Sequence, residues 1–365
     1  PRNDTRIFLK ELASLSSVIP EIYFLVADGL GNSNQNNIQI IDFGYPKSRF
    51  GRMLIKPWHI FFYIIKNKFK IVHIHDPELL FMAYLLTFMG VKVIYDAHED
   101  YREDLLSREW IPNLFKKIIS RCVGFLEDFF IKRFYAVIAA TPKIYLRHSQ
   151  KAKKIIVVNN YPILDEFNED ATQASIPNLT KKVIRVCYIG AIDEERGIEY
   201  LVNALSESET EIFLELGGTF SNPHFKDKLT LNPGWKFVNY HGQVSRNEMS
   251  KIFSKCIAGI VTYLPEKSHL HAQPNKLFEY LSAGLPIICS NFPHWKYLLD
   301  GQNCAIFVSP DQPLHIAKAI NDLYFSNKYY SMGQNGKRLV NEKYNWDADS
   351  KILINLYLET QEGLN

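Results

Sequence analysis

Two series of short β-branched runs, each run parted from the next by enough residues for a loop or a helix, constrain this chain more than any other feature. IYFLVA (22–27), IVHIH (71–75), KVIYDA (92–97), AVIAAT (136–141) and KIIVVNN (154–160) form the first series. VIRVCYIG (183–190), EIFLELGG (211–218), KFVNYHG (236–242), AGIVTYL (258–264), PIICSN (286–291) and CAIFVS (304–309) form the second. Runs that are apolar at successive rather than alternate positions are buried on both faces, as helical crossovers on a parallel sheet require. Between the series lies NNYPILDEFNEDATQASIPNLTKK (159–182), polar, proline-containing and without periodicity, which reads as a linker. The expected fold class is therefore α/β, with a doubly wound domain over 1–165, a linker over 166–182, a second doubly wound domain over 183–344 and a terminal helix over 345–365. A doubly wound domain opens on a strand, whereas PRNDTRIFLKELASLSSV (1–18) reads as a loop and a helix. The expectation is a first strand upstream of Pro1.

Composition narrows the class. The 365 residues exceed one ordinary core, and 47% apolar with 22% charged residues is a globular balance. Cys122, Cys187, Cys256, Cys289 and Cys304 are odd in number with no C-x-x-C pair, which argues for a reducing compartment and against structural zinc. The most apolar stretches, IFFYII (60–65) and LLFMAYLLTFMGVKVIY (79–95), are too short to span a bilayer or carry Lys92. A cytoplasmic chain without a spanning helix is expected. Residues 1–160 hold 23 Lys/Arg against 15 Asp/Glu, a charge of +8, and residues 161–365 hold 19 against 24, a charge of −5. A basic half joined to an acidic one suggests that one half meets an anionic surface; a merely solvated basic face is the alternative. The stretches 56–70 and 113–134 mix aromatic and basic residues at helical spacing, the pattern of a face resting on anionic lipid, or of a core helix with snorkelled lysines. Nucleic acid is disfavoured because no zinc finger or RNP-type motif accompanies the charge.

The stretch with most chemistry is QPNKLFEYLSAGLPII (273–288). Pro274 suits the first turn of a helix, whose free amides with Lys276 nearby would suit a phosphate. Glu279, one turn on, is placed to accept from a ribose diol; a plain surface pair of Lys276 with Glu279 is the alternative. YIGAIDEERG (188–197) ends a strand at Gly190 and enters a helix near Gly197. VIYDAHED (93–100) puts His98 at the carboxyl edge of a strand, where open parallel sheets place ligands, and IHDPE (74–78) does the same for His75, Asp76 and Glu78. The DAD at 347–349 opens a helical pattern, so its aspartates read as first-turn carboxylates, and no metal site is expected.

These motifs, with PRNDTRIFLKELASL, IVHIHDPELL, YIGAIDEERGIEYLVNAL, NYHGQVSRNEM and SNFPHWKYLLDGQNCAIFVSP in order along the chain, resemble those of family-4 glycosyltransferases of the bacterial surface-polysaccharide type. The resemblance implies the GT-B fold, two Rossmann-like domains facing a cleft, with the last helix packing back on the N-terminal domain. It implies a retaining, metal-independent hexosyltransferase that moves a hexosyl or N-acetylhexosaminyl group from a nucleotide diphosphate sugar, expected to be UDP-linked, to a hydroxyl of a growing surface glycan that can be lipid-linked. No cofactor beyond that substrate is implied. Catalytic roles fall on His98, Arg196 and Lys276, and donor contacts on Gly190, His271, Gln273, Asn275, Leu277 and Glu279. Outside the resemblance, His75, Asp76 and Glu78 at their strand end either border the acceptor or merely cap a helix, and the basic half with its aromatic stretches would place a cytoplasmic chain peripherally at the inner face of the cytoplasmic membrane. Two departures stand out: Ala191 replaces an arginine of the family, and His271 replaces the first glutamate of its pair. They motivate a rival reading as a non-catalytic partner subunit, and a nucleotide-sugar epimerase of the same fold is a second. A dehydrogenase is disfavoured, since no G-x-G-x-x-G follows an early strand.

Overall fold

The computed structural model describes residues 2–46, 48, 51–98, 101–107, 112–167 and 183–362. The chain divides into two units, one of residues 1–160 with 346–365, the other of residues 161–345. The division falls slightly before the boundary read from the sequence because Tyr161 packs its ring on Phe278 and Tyr344, with centroids 4.9 and 5.2 Å away. Glu166 and Phe167, expected in the linker, also belong to the second unit: Phe167 is buried in its core and Glu166 pairs with Arg246. Residues 168–182 and Glu99 lie outside the described residues.

The first unit opens with a π-helical segment, Thr5–Leu12, capped by the Asp4 side chain on the Ile7 amide. Strands β1 (Ile22–Val26), β2 (Ser33–Gln35) and β3 (Ile38–Asp42) form one sheet, in which β1 and β3 are parallel and β2 and β3 antiparallel. The sequence reading passed over β2 and β3. Their signal is Asn36–Asn37, both at positive φ (50° and 64°), the two-residue turn whose twist suits a hairpin. Strands β4 (Ile71–Ile74), β5 (Lys92–Ala97), β6 (Ala136–Ala139) and β7 (Ile155–Val157) form a second, wholly parallel sheet in that order. β6 and the last five residues of β5 are buried throughout, as covered parallel strands should be.

The terminal helix Trp346–Glu362 belongs to this unit. The Trp346 indole donates to Ser14 Oγ at 2.9 Å, the Asn159 amide donates to Asp349 Oδ2 at 3.1 Å, and Lys92 Nζ donates to the Thr360 carbonyl at 2.8 Å. Asp347 and Asp349 stand in its first turn, and Asp349 is a buried helix anchor.

In the second unit, β8 (Ile184–Ile189), β9 (Ile212–Gly217), β10 (Val238–Gly242), β11 (Ala258–Val261), β12 (Ile287–Ser290) and β13 (Ala305–Val308) form one parallel sheet in the order β10-β9-β8-β11-β12-β13. Numbered within the unit, that is 3-2-1-4-5-6, the doubly wound order of nucleotide-binding sheets.

Candidate active site

The order of the second sheet reverses between β8 and β11, and a ligand of such a sheet lies beyond the carboxyl ends of its strands at that point. Gly190 follows β8 there with φ 143°, and a Cβ on it would come within 2.5 Å of Lys276 Nζ. Glycine therefore lets an ammonium lie across the strand end. Asp193 shapes the next turn: its carboxylate accepts from the Arg196 amide at 3.0 Å and from Arg196 Nε at 2.9 Å. Arg196 Nη1 then reaches the Tyr263 hydroxyl at 3.2 Å. Gly197, at φ 69°, starts the helix Ile198–Glu207 so close to β11 that a Cβ would sit 2.0 Å from the Thr262 carbonyl oxygen.

Lys276 arrives from the opening turn of the helix Asn275–Ser282. That helix is seated by Leu277, Phe278, Tyr280 and Leu281, all buried, and the Ile189 amide of β8 donates to the Tyr280 hydroxyl at 2.8 Å. Lys276 is itself only 7% exposed. Its Nζ donates to the Tyr188 hydroxyl at 2.9 Å and stands 4.0 Å from the centre of that ring and 5.3 Å from the Tyr263 ring. Burial opposes the ammonium, yet the Tyr188 and Tyr263 hydroxyls hold its pKa above the ordinary lysine value. No carboxylate pairs with Lys276 among the described residues. A buried cation without a counter-ion is costly and marks a place suited to an anion.

The geometry corrects two details of the sequence reading and removes the alternative to it. Pro274 is the residue before the helix, at φ −67° and ψ 132°, rather than within its first turn. Leu277 is a core residue at 0% exposure, and its amide donates back to the Pro274 carbonyl at 3.1 Å, so neither part faces a ligand. Lys276 and Glu279 make no surface pair. Glu279 Oε1 instead accepts from Arg246 Nη1 at 2.6 Å, and the same guanidinium makes two 2.6 Å bonds to Glu166. Arg246 sits in SRNEM, a block noted for its order along the chain and not for this residue. Among the other expected donor residues, the Gln273 side chain donates to the Tyr161 hydroxyl at 2.9 Å, Asn275 is half-buried and His271 is exposed in the turn before the helix.

In the first unit, β4 and β5 bring their carboxyl ends together. His75 lies between Glu11 Oε2 at 3.7 Å and Asp96 Oδ2 at 3.5 Å, with its ring stacked on His73 at 4.4 Å. The His98 ring is 6.3 Å from that of His75. Asp76 is exposed, and Glu78 pairs with Arg52 at 3.0 Å. Glu11, His73, His75 and Asp96 bring potential metal-ligand atoms within 4.8 Å of one another, a cluster the sequence did not suggest. Its positive charge is already supplied by Arg6, whose Nε is 2.8 Å from Asp96 and 3.0 Å from Glu11. Burial drives Glu11 toward its protonated form, while Arg6 holds Asp96 ionised against its own burial. A divalent ion there would meet the guanidinium at contact distance, so the donor set does not fit one.

Residues 22–161 match the family described as Glycosyltransferase Family 4, and residues 183–325 match Glycosyl transferases group 1. An uncharacterised glycosyltransferase of Methanocaldococcus jannaschii is 23% identical over 179 residues, 47% of this chain, and the matched region spans 44% of that relative's length. Sucrose-phosphate synthase of Thermosynechococcus elongatus superposes with a TM-score of 0.76 at 17% identity, covering 99% of this chain and 94% of its own. Anabaena HepE in complex with UDP gives a TM-score of 0.67 at 13% identity, covering 94% of this chain and 100% of its own. At such identities these structures establish the fold, which is two-domain GT-B.

Proposed function

We propose, for a chain that by its two consecutive matches belongs to the family-4, group 1 glycosyltransferases, that it transfers a hexosyl or N-acetylhexosaminyl group from a UDP-sugar to a hydroxyl of a growing surface glycan, with retention and without a metal. The observation that carries the reading is Lys276, a buried ammonium with two tyrosine hydroxyls and no carboxylate, laid across Gly190 at the switch point of the sheet. A nucleotide diphosphate is the anion such a place suits, and the UDP complex of Anabaena HepE supports that choice of nucleotide.

Each residue then has a physical task. Lys276 and Arg196 offset the charge that builds on the departing diphosphate, the electrostatic work that lowers the barrier to leaving. Arg196 does less of it, because Asp193 already balances part of its charge. Glu279, steadied on one oxygen by Arg246, keeps the other for ribose hydroxyls. His271, in the turn before the helix Asn275–Ser282, is proposed as a contact of the donor sugar, and His98 on the first unit as a separate sugar contact; an imidazole both donates and accepts. His75 and Asp76 border the acceptor, and Glu78, raised above the usual carboxylate range chiefly by burial, borders it in the same way. A lipid-linked acceptor fits the basic first half of the sequence.

The test is incubation with a panel of nucleotide sugars, following nucleotide release and acceptor mass together. Diphosphate release with a matching gain of acceptor mass is expected. Epimerised or free sugar without an acceptor product would favour the epimerase, and nucleotide binding without turnover would favour a partner subunit.

A further inference from the structure

Three charged side chains of the second unit meet beside the helix Asn275–Ser282, and their bonds are unequally divided. Arg246 Nε and Nη2 each donate to one oxygen of Glu166, both at 2.6 Å, whereas only Nη1 turns to Glu279, bonding Oε1 at 2.6 Å. Two N–H bonds from one guanidinium edge to one carboxylate make its strongest grip. Glu166 therefore holds Arg246, and Glu279 meets only what is left. Among the described residues nothing donates to Glu279 Oε2.

The local fold does not by itself call for this arrangement. Arg246 is the first residue of the helix Arg246–Phe253, whose N-terminus is already closed by a capping box of Ser245 and Glu248. A positive charge at that end opposes the helix dipole. Burial opposes it as well, yet the bonds to Glu166 and then the charge of Glu279 hold its pKa above the ordinary arginine value. Nor is Glu166 needed to fasten its own segment, because the next residue does that. Phe167 is 2% exposed, packs on Phe253 with ring centroids 5.2 Å apart, and accepts from Ser250 Oγ through its carbonyl at 3.4 Å.

Charge shows what the arrangement does. One guanidinium between two carboxylates leaves a net negative charge, and the open lone pairs lie on Glu279 Oε2. Without Glu166, Arg246 and Glu279 would form a neutral pair, and the freed N–H groups would turn to both Glu279 oxygens. A carboxylate occupied in that way is a poor acceptor for two more hydroxyls.

We infer that Glu166 is a positioning residue for the donor: by occupying Arg246 it keeps one oxygen of Glu279 open to the ribose diol. The inference rests on the reading that Glu279 binds that diol. It makes Arg246 harmful wherever Glu166 is missing, which a merely structural role would not do.

Calorimetry of the full chain with UDP, against a UDP analogue lacking both ribose hydroxyls, tests it. Glu166→Ala should weaken UDP binding about tenfold and binding of the analogue less than about twofold. Arg246→Ala should cost about threefold, and adding it to Glu166→Ala should bring UDP binding back to that level. Independent losses would instead multiply to about thirtyfold. Glu166→Gln keeps the size and one acceptor without the charge, and should show the same selectivity with a smaller loss. Thermal melting without ligand reports the fold of each variant, and Glu166→Gln carries the test if Glu166→Ala melts early. A folded double variant that binds UDP no better than Glu166→Ala would overturn the proposal. If Glu279→Ala weakens both ligands alike, the ribose reading falls and takes this inference with it. Ribose-selective loss in Glu279→Ala beside unselective loss in the Glu166 variants would overturn this inference alone.

Discussion

Lys276 Nζ lies 2.9 Å from the Tyr188 hydroxyl and 4.0 Å from the centre of the same ring. The tyrosine thus holds the ammonium by an oxygen and a π face and neutralises none of its charge. Lys276→Ala should lower UDP affinity by roughly 30- to 100-fold, the value of a charge-assisted contact, and uridine affinity by about twofold at most. Calorimetry with both ligands checks this, and equal losses would contradict the assignment.

The same isolation makes Lys276 costly to the empty protein. Lys276→Met, close in shape and uncharged, should leave the melting temperature unchanged or higher without ligand while abolishing the rise on adding UDP. A marked fall in the ligand-free melting temperature would show that the ammonium is structural.

Gly190→Ala puts a methyl where Lys276 Nζ lies, on backbone at φ 143°. The expected cost is about 1–3 kcal/mol of stability from the strained backbone, together with weakened UDP binding as the lysine is pushed aside. Because the binding effect acts through Lys276, it should vanish in a Lys276→Ala background. A double-mutant cycle measures this coupling.

Arg246 steadies Glu279, so the two should act on the same part of the ligand. Glu279→Ala should weaken UDP binding about tenfold and hardly affect a UDP analogue lacking both ribose hydroxyls. Arg246→Ala should show the same selectivity with a smaller loss. Equal weakening of both ligands would move Glu279 away from the ribose.

Activity should survive excess EDTA, and Asp347→Ala should leave turnover nearly unchanged, since the cations proposed for the diphosphate are side chains. Loss of activity in chelator that manganese or magnesium restores would contradict this.

Asp349, buried against Asn159, has its pKa raised to about 6, burial being the main cause. A carboxyl with a raised folded-state pKa contributes most when protonated, and that contribution is lost as pH climbs through about 6. Asp349→Asn keeps an acceptor for the Asn159 amide without the buried charge. Its melting temperature relative to wild type should therefore be higher at pH 7.5 than at pH 4.5, by the equivalent of about 2 kcal/mol. A difference independent of pH would show that Asp349 ionises freely.

The sequence by itself determined the parallel strands and the positions of Gly190, Arg196 and Lys276. The reason is local: a buried strand must be apolar at every position, and a glycine at its carboxyl end is written directly into the chain. Even Lys276, however, read equally well as a surface residue, because burial depends on where Tyr188 and Tyr263 lie. The hairpin of β2 and β3 escaped notice for a related reason, since short, exposed β2 carries no apolar pattern and its Asn36–Asn37 turn is a weak mark. Tertiary structure alone decided that Arg246 meets Glu279, that Arg6 reaches Asp96 across 90 positions, and that Asp349 anchors the last helix within the first unit. Those pairings are set by which strands become neighbours and which helix faces turn inward. Such choices are made by packing the whole chain, where an ion pair forms because burial leaves each charge no other partner.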